Sequence, residues 1–351
     1  MNVFQTAGLF LNRFNEVPGI TLALGDAQFI RLEEDEIRQH TFLDHRAILK
    51  PVEAILTLDE FIAQAAQAPQ PRQAFGMIYH SAFCGSTYLA RCLDATGIGL
   101  SLKEPYALTQ SSFHHADETY TQFSSPEEWE QFLGAEIRHL SRPGASALFP
   151  VIKTHNICVV LANQVANLFP SRARSVFIYS DLKSFLVSVL KNPERRQFCK
   201  FLVKLISPSR AAQLGIPWVD SRELPDAQVA VYCWMFHMAH YRRAAGRSGN
   251  GAFCSLNCEQ LLDRPLDTLL ALARFFGVET GRDSVKAGLQ AASMKAHAKD
   301  PTKTFSAQAR RTDLETEGFK HRKEVKLGLR WFEQSGGNED LNTQVKFPLQ
   351  S

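Results

Sequence analysis

Between Phe75 and Phe276, short apolar runs ending in small or polar turn residues alternate with stretches of helical periodicity, which leaves few architectures open. Residues 75–79, 98–102, 148–153, 175–179 and 253–256 read as strands. Residues 87–93, 157–169, 182–190 and 227–245 read as helices, and another follows Pro265 through Phe276. Ser125-Pro126-Glu127-Glu128 sets Ser at the N-cap, Pro at the first helical position and Glu at N3, a helix start. Apolar strands separated by helices form a parallel sheet covered on both faces. The prediction is an α/β fold with a mostly parallel five-stranded sheet, helices on both faces, and a ligand site at the carboxyl ends of the strands.

Around this α/β domain, taken as residues 73–296, the chain divides by composition. Residues 1–72 read as an N-terminal extension, with alternating runs at 20–24 and 29–32, a helix over 58–66 and the linker Ala68-Pro69-Gln70-Pro71-Arg72. Residues 297–334 form a charged C-terminal segment and 335–351 a loose tail. A 45% apolar content with 25 Phe supplies a core, and Lys+Arg 39 against Asp+Glu 36 gives no bulk charge for nucleic acid. No apolar run reaches the roughly 18 residues of a membrane span, and Met1-Asn2-Val3-Phe4-Gln5 lacks the pattern of a secretory signal. Seven scattered cysteines fit a reducing compartment, so the expected location is cytoplasmic.

The first strand runs into Ser81-Ala82-Phe83-Cys84-Gly85-Ser86-Thr87-Tyr88, a small-residue turn feeding a helix. Such a turn presents backbone N–H groups and the positive end of a helix dipole, to which the Ser86 and Thr87 hydroxyls add donors. A nucleotide-hydrolysing P-loop places Lys directly after its last Gly; here Ser86 follows Gly85. The loop therefore favours anion binding over ATP hydrolysis, for which the missing lysine is the main fixed cation.

Five segments in order then resemble the sulfotransferases that use 3′-phosphoadenosine-5′-phosphosulfate (PAPS). The loop 83–89 resembles the family's 5′-phosphosulfate loop. Leu102-Lys103-Glu104-Pro105 lies where many members carry a glutamate, and Ile152-Lys153-Thr154-His155 matches the Lys-Thr-His segment of cytosolic members. Val176-Phe177-Ile178-Tyr179-Ser180-Asp181 with Ser188 is similar to the 3′-phosphate segment, and Cys258-Glu259-Gln260-Leu261-Leu262 with Phe275-Phe276-Gly277 to the closing one. The resemblance implies a P-loop NTPase-like sulfotransferase fold, PAPS as cofactor with 3′,5′-ADP as product, and no obligatory metal. It implies cofactor contacts from Ser81, Phe83, Cys84, Gly85, Ser86, Thr87, Tyr88, Lys103, Ser180 and Ser188. Two positions depart from the pattern: Phe83 stands where the family usually has Lys or Arg, and Ser180 where it usually has Arg. A charge-assisted hydrogen bond is worth about 1.5–3 kcal/mol, so other cations are needed. His80, Lys103, Arg195, Arg196, Arg310-Arg311 and Arg322-Lys323 are the candidates, and the resemblance implies a C-terminal basic segment, here 310–323 within 297–334, that covers the cofactor, although the family's Gly-containing motif is not matched there.

Sulfuryl transfer requires a base for the acceptor and a cation near the leaving phosphate. Glu104 and His155 compete as base, and Lys153 is the electrostatic stabiliser. An ordinary His titrates near 6.5, whereas Glu would need its pKa raised by burial. The acceptor is a small molecule or peptide, chosen by the loops at 106–124 and 192–225 and by the C-terminal segment. His237 and His240 share a helix face without a metalloprotease partner, and Tyr232, Trp234, Phe236 and Tyr241 read as core. Two rivals stay open: a Mg²⁺-dependent kinase using Asp181, and a non-catalytic binding protein of the same fold, favoured by Phe83 and Ser180.

Overall fold

A computed structural model describes residues 1–17, 20–45, 48–69, 73–116, 122–247, 251–293, 307–335 and 349. Linker residues 70–72, residues 297–306 of the charged segment, and the tail beyond 335 except Leu349 lie outside the described residues.

The chain opens with strands β1 (Leu9–Val17) and β2 (Ile20–Arg31), helix α1 (Glu34–Gln39), strand β3 (Val52–Leu56) and helix α2 (Leu58–Gln67). The three strands form an antiparallel sheet in the order β1-β2-β3. The two apolar runs at 20–24 and 29–32 join into one strand through Gly25. A Cβ there would meet the Asn15 carbonyl oxygen at 2.8 Å, so glycine permits the close approach of β1 at an irregular register.

The second unit runs β4 (Phe75–His80), α3 (Ser86–Thr96), β5 (Leu100–Lys103), α4 (Tyr106–Ala116), α5 (Pro126–Leu140), β6 (Pro150–Lys153), α6 (Ala162–Leu168), β7 (Ala173–Tyr179) and α7 (Leu182–Leu190). It continues through α8 (Pro193–Val203), α9 (Pro208–Leu214), α10 (Asp226–Arg247), β8 (Phe253–Asn257), α11 (Cys258–Asp263), α12 (Pro265–Phe276) and α13 (Arg282–Ser293). Helices α14 (Ala307–Lys320) and α15 (Arg322–Gln334) follow. The Ser125 cap is present, its hydroxyl accepting from Glu128 N at 3.2 Å. Residues 157–169 differ from expectation by opening in a 3-10 turn over Asn156–Leu161 before α6. The stretches 106–124 and 192–225, read as loops, hold α4, α8 and α9: Asn192 and Ser207 cap α8 and α9, each with Pro in the first turn.

Five parallel strands form one sheet in the order β5-β6-β4-β7-β8. Alternate residues supply its two faces. Ile78, Val176, Ile178 and Leu256 pack with Leu89, Leu93, Leu269, Leu272 and Val285 beneath α3, α12 and α13. Met77, Tyr79 and Phe177 face the other way, where Phe177 stacks on Tyr241 of α10 at 4.4 Å. The first helix of this unit leaves β4 toward β5, while the chain leaves β7 toward β8 on the opposite side. The sheet's topological switch, and hence its crevice, lies at the carboxyl ends of β4 and β7. The N-terminal sheet packs on α4 and α5, with Phe14 against Phe132 at 5.2 Å.

Candidate functional site

Backbone geometry marks the carboxyl ends of the strands. Ala82 (φ 66°), Phe83 (φ 52°) and Glu104 (φ 55°) occupy the left-handed region, which costs about 1–3 kcal/mol for a residue with a side chain. All three sit just beyond β4 or β5. Gly85 (φ 78°) is the N-cap of α3, whose first internal bond runs from Leu89 N to Gly85 O, so the N–H groups of the first turn lack helical partners. A Cβ on Gly85 would meet nothing within 4 Å, so open space lies over the loop. Gly85→Ala is expected to lower stability by about 1–2 kcal/mol in denaturant unfolding, through φ alone.

Ser86 and Thr87 are buried in this first turn. Ser81 and Cys84 fasten the loop to β7: Ser81 N donates to Ile178 O at 3.2 Å, Ser81 Oγ accepts from Ser180 N at 3.4 Å, and Cys84 Sγ donates to Ile178 O at 3.2 Å. Tyr88 faces Cys92 one turn along the helix, away from the loop.

At the neighbouring strand ends, Lys153 Nζ forms a short ion pair with Glu104 Oε1, and Glu104 N donates to Lys153 O at 2.6 Å. Lys153 is fully buried, its ammonium 5.7 Å from the Phe42 ring centroid. His155 caps the following 3-10 turn, Nδ1 accepting a long bond of 3.5 Å from Ile157 N. Behind it, His237 Nδ1 donates to Cys233 O at 2.7 Å and Nε2 accepts from Asn156 at 3.0 Å, while burial pushes its pKa down to about 4. His237 is thus a neutral, fully bonded core histidine.

The candidate cations part company. His80 Nδ1 accepts from Ala82 N at 3.1 Å and Nε2 donates to Thr154 O at 2.9 Å; burial, then Lys153, holds its pKa well below the ordinary range, so the ring is neutral. Lys103 Nζ bonds Asp94 at 2.9 Å and Ile37 O at 2.8 Å, between α3 and α1, and is not brought to the loop after β4. Arg196 is taken up by Leu190 O, Asp226 and Glu324; Arg311 by Asp263; Arg322 by Phe319 O.

Two arginines do arrive, one at each departure. Arg195 lies over the Phe83 ring, Cζ 4.7 Å from its centroid, and Nη1 donates to Ser188 O at 2.8 Å. Arg310 reaches back from α14: Nη2 donates to Ser180 Oγ at 3.2 Å and contacts Cys258 Sγ at 3.4 Å, and Nε donates to Glu259 at 3.0 Å. Burial lowers the Arg195 pKa, opposed by the nearby Asp313 carboxylate, and Arg310 lowers it further. Burial opposes charge on Arg310 as well, yet Cys258 and Glu259 together raise its pKa.

No family model and no curated protein matches the sequence. Solved structures similar to the chain include a sulfotransferase and two sulfotransferase domains. Sulfotransferase STF9 from Mycobacterium avium is 13% identical with a TM-score of 0.42, over 76% of this chain and 81% of that one. The sulfotransferase domain from the curacin biosynthetic pathway is 12% identical with a TM-score of 0.41, over 80% of this chain and 94% of that one. The sulfotransferase domain of the Synechococcus PCC 7002 olefin synthase is 13% identical with a TM-score of 0.36, over 71% and 97%.

The sequence did not single out Phe42, Phe113, Phe198 or Phe201, which carry no local signal distinguishing them from the other phenylalanines. Asp181, the carboxylate of the kinase reading, caps α7 by accepting from Ser184 N at 2.9 Å.

Proposed function

We propose that the protein is a sulfotransferase that moves a sulfuryl group from PAPS to a hydroxyl or amine acceptor without an obligatory metal. The observation that carries the reading is the seat of Arg310 on Ser180, which brings positive charge to a crevice already lined by an anion-binding loop. When bound, PAPS supplies a sulfuryl group attached to a phosphate that can leave.

Open space over Gly85, the first-turn N–H groups of α3 and the Ser86 and Thr87 hydroxyls fit the 5′ end of such a nucleotide. Ser180 and Arg310 fit its 3′-phosphate, and Arg195, held by the Ser188 carbonyl over Phe83, supplies the cation that Phe83 lacks. Glu104 is the better base of the two candidates. His155, whose Nδ1 caps the 3-10 turn by accepting from Ile157 N at 3.5 Å, orients the acceptor oxygen. The Glu104 carboxylate, paired with Lys153, takes the acceptor proton, while Lys153 holds the carboxylate in place and brings a cation to the same strand end.

Calorimetric titration with 3′,5′-ADP in the absence of divalent cations tests the reading. Micromolar binding is expected; binding of ATP·Mg²⁺ in its place would transfer the assignment to the kinase alternative. Arg310→Ala is expected to weaken 3′,5′-ADP by about 10- to 100-fold, the loss of one charge-assisted contact, and to leave 5′-AMP binding unchanged. Equal losses for both nucleotides would remove Arg310 from the 3′-phosphate.

A further inference from the structure

A cavity of about 870 Å³ lies where the N-terminal unit meets the edge strand β5, and none of Gly85, Glu104, Lys153, His155, Arg195 and Arg310 lines it. Its walls come from the start of β1, the corner between β2 and α1, the end of α5, and strands β5 and β6. Leu100 and Leu102, alternate residues of β5, line it together with Phe10, Leu32, Ile37 and Leu140. Gln5 and Pro143 line it too and are exposed, so it opens to solvent. Apolar walls of this extent with a few polar groups suit a small molecule.

The uncommitted polar groups on the wall are donors. Arg142 gives its guanidinium to main-chain carbonyls: Nη1 to Val3 O at 2.5 Å and Thr6 O at 3.2 Å, Nη2 to Leu9 O, and Nε to His139 O at 3.2 Å. Its Nη2 also donates to His139 Nε2 at 3.2 Å. Arg138 donates from Nε to Gly134 O at 3.2 Å and from Nη1 to Ala65 O at 3.0 Å. Among the described residues neither arginine pairs with a carboxylate, and Arg138 Nη2 has no partner. Burial pushes the Arg142 pKa down to about 10; it also lowers that of Arg138, and Arg172 adds to the effect. Gln73 lines the same cavity, and its Nε2 is buried with no hydrogen-bond partner.

The acids of the wall are already used. Glu34 Oε1 accepts from Ser146 N at 2.8 Å, Glu33 closes the capping box of α1, and Arg31 is paired with Glu53. A neutral occupant would leave both guanidinium charges uncompensated. A dianion would bring more charge than one free Nη2 and one amide can meet, and it would face Glu33 and Glu34. A single charge on a planar group matches a guanidinium best. We propose that this cavity binds an apolar monocarboxylate of the fatty-acid kind, its carboxylate on Arg138 and Gln73 and its chain along Leu100 and Leu102. The site is separate from the nucleotide crevice and does not depend on the sulfuryl-transfer reading.

The test is calorimetric titration of the full chain with decanoate, decanol and decyl phosphate, with and without saturating 3′,5′-ADP. It uses the native protein, Arg138→Gln, Arg138→Lys and Gln73→Leu, with circular dichroism to verify each fold. Gln73→Leu removes an Nε2 that bonds nothing in the free protein, so it decides the matter if Arg138→Gln does not fold. Expected are saturable decanoate binding and decanol weaker by about tenfold. Arg138→Gln is expected to weaken decanoate about tenfold and Gln73→Leu about threefold, with recovery in Arg138→Lys and no effect of 3′,5′-ADP. No binding, equal affinity for decanol, or indifference to both Arg138→Gln and Gln73→Leu would overturn the site. Tighter binding of decyl phosphate would overturn the singly charged ligand. Displacement of decanoate by 3′,5′-ADP would overturn the site by placing the carboxylate in the crevice.

Discussion

Lys103→Met is expected to lower the unfolding free energy by about 3–5 kcal/mol, the usual cost of breaking a buried ion pair from one side. Lys103 is fully buried at the end of β5, and its ammonium joins Asp94 of α3, Ile37 O and, at 3.3 Å, Ser101 O. Burial depresses the lysine pKa more than Asp94 raises it, so the pair is held by its hydrogen bonds and the loss falls on whichever partner remains. Asp94, with its side chain 8% exposed, would keep its bond from Ser101 N at 2.7 Å and the more distant charge of Arg91, but would lose the ammonium bonded to it. The double variant Lys103→Met with Asp94→Asn is expected to regain most of the loss, because Asn keeps an acceptor for Ser101 N and brings no charge. Denaturant midpoints of the two single variants and the pair measure this. Unchanged stability together with weakened 3′,5′-ADP binding in Lys103→Met would return this lysine to the cofactor.

The two lysines show what sequence could and could not supply. Leu102-Lys103-Glu104 and Ile152-Lys153-Thr154 look alike, and Lys103 and Lys153 are register partners on adjacent parallel strands. Their partners are what separate them: Asp94 lies at the end of a helix packed on the sheet, and Glu104 lies in a loop whose left-handed backbone no periodicity announces. Strands were legible because both faces of this sheet are buried, which makes β7 a near-continuous apolar run. The arginine at Ser180 was legible as one of several basic residues, in a C-terminal stretch that the resemblance, not any local pattern, placed over the cofactor. It comes from 130 positions along the chain, and nothing local in α14 tells where its first turn docks. The expectation of loops at 106–124 and 192–225 failed because α4, with its polar Thr, Gln, Ser and His residues, takes its helical support from packing on β1 and the 3-10 turn.

The protein is expected to carry a buried acid that costs it stability near neutral pH. Glu136, in the middle of α5, is wholly buried, and among the described residues neither carboxyl oxygen has a hydrogen-bond partner. Burial pushes its pKa from 4.5 up to about 8, against a smaller downward pull from Ser111, whose hydroxyl donates to Ala107 O at 3.3 Å. Because the folded-state value lies above the unfolded one, the stabilising contribution of the bound proton is complete below about pH 4.5. It drains away as pH rises and is gone above about pH 8. At pH 7 the deficit is about 3 kcal/mol, from 1.36 kcal/mol for each unit between the unfolded value and the working pH. Glu136→Gln keeps the shape and the buried polar atoms but has no proton to lose. The variant and the native protein are therefore expected to unfold at similar denaturant concentrations at pH 4.5, with the variant more stable by about 3 kcal/mol at pH 7. A constant gap between the two midpoints from pH 5 to 8 would mean that Glu136 finds an ionised partner or solvent in the folded protein. A gap that opens with pH would establish a neutral carboxyl in the core of α5.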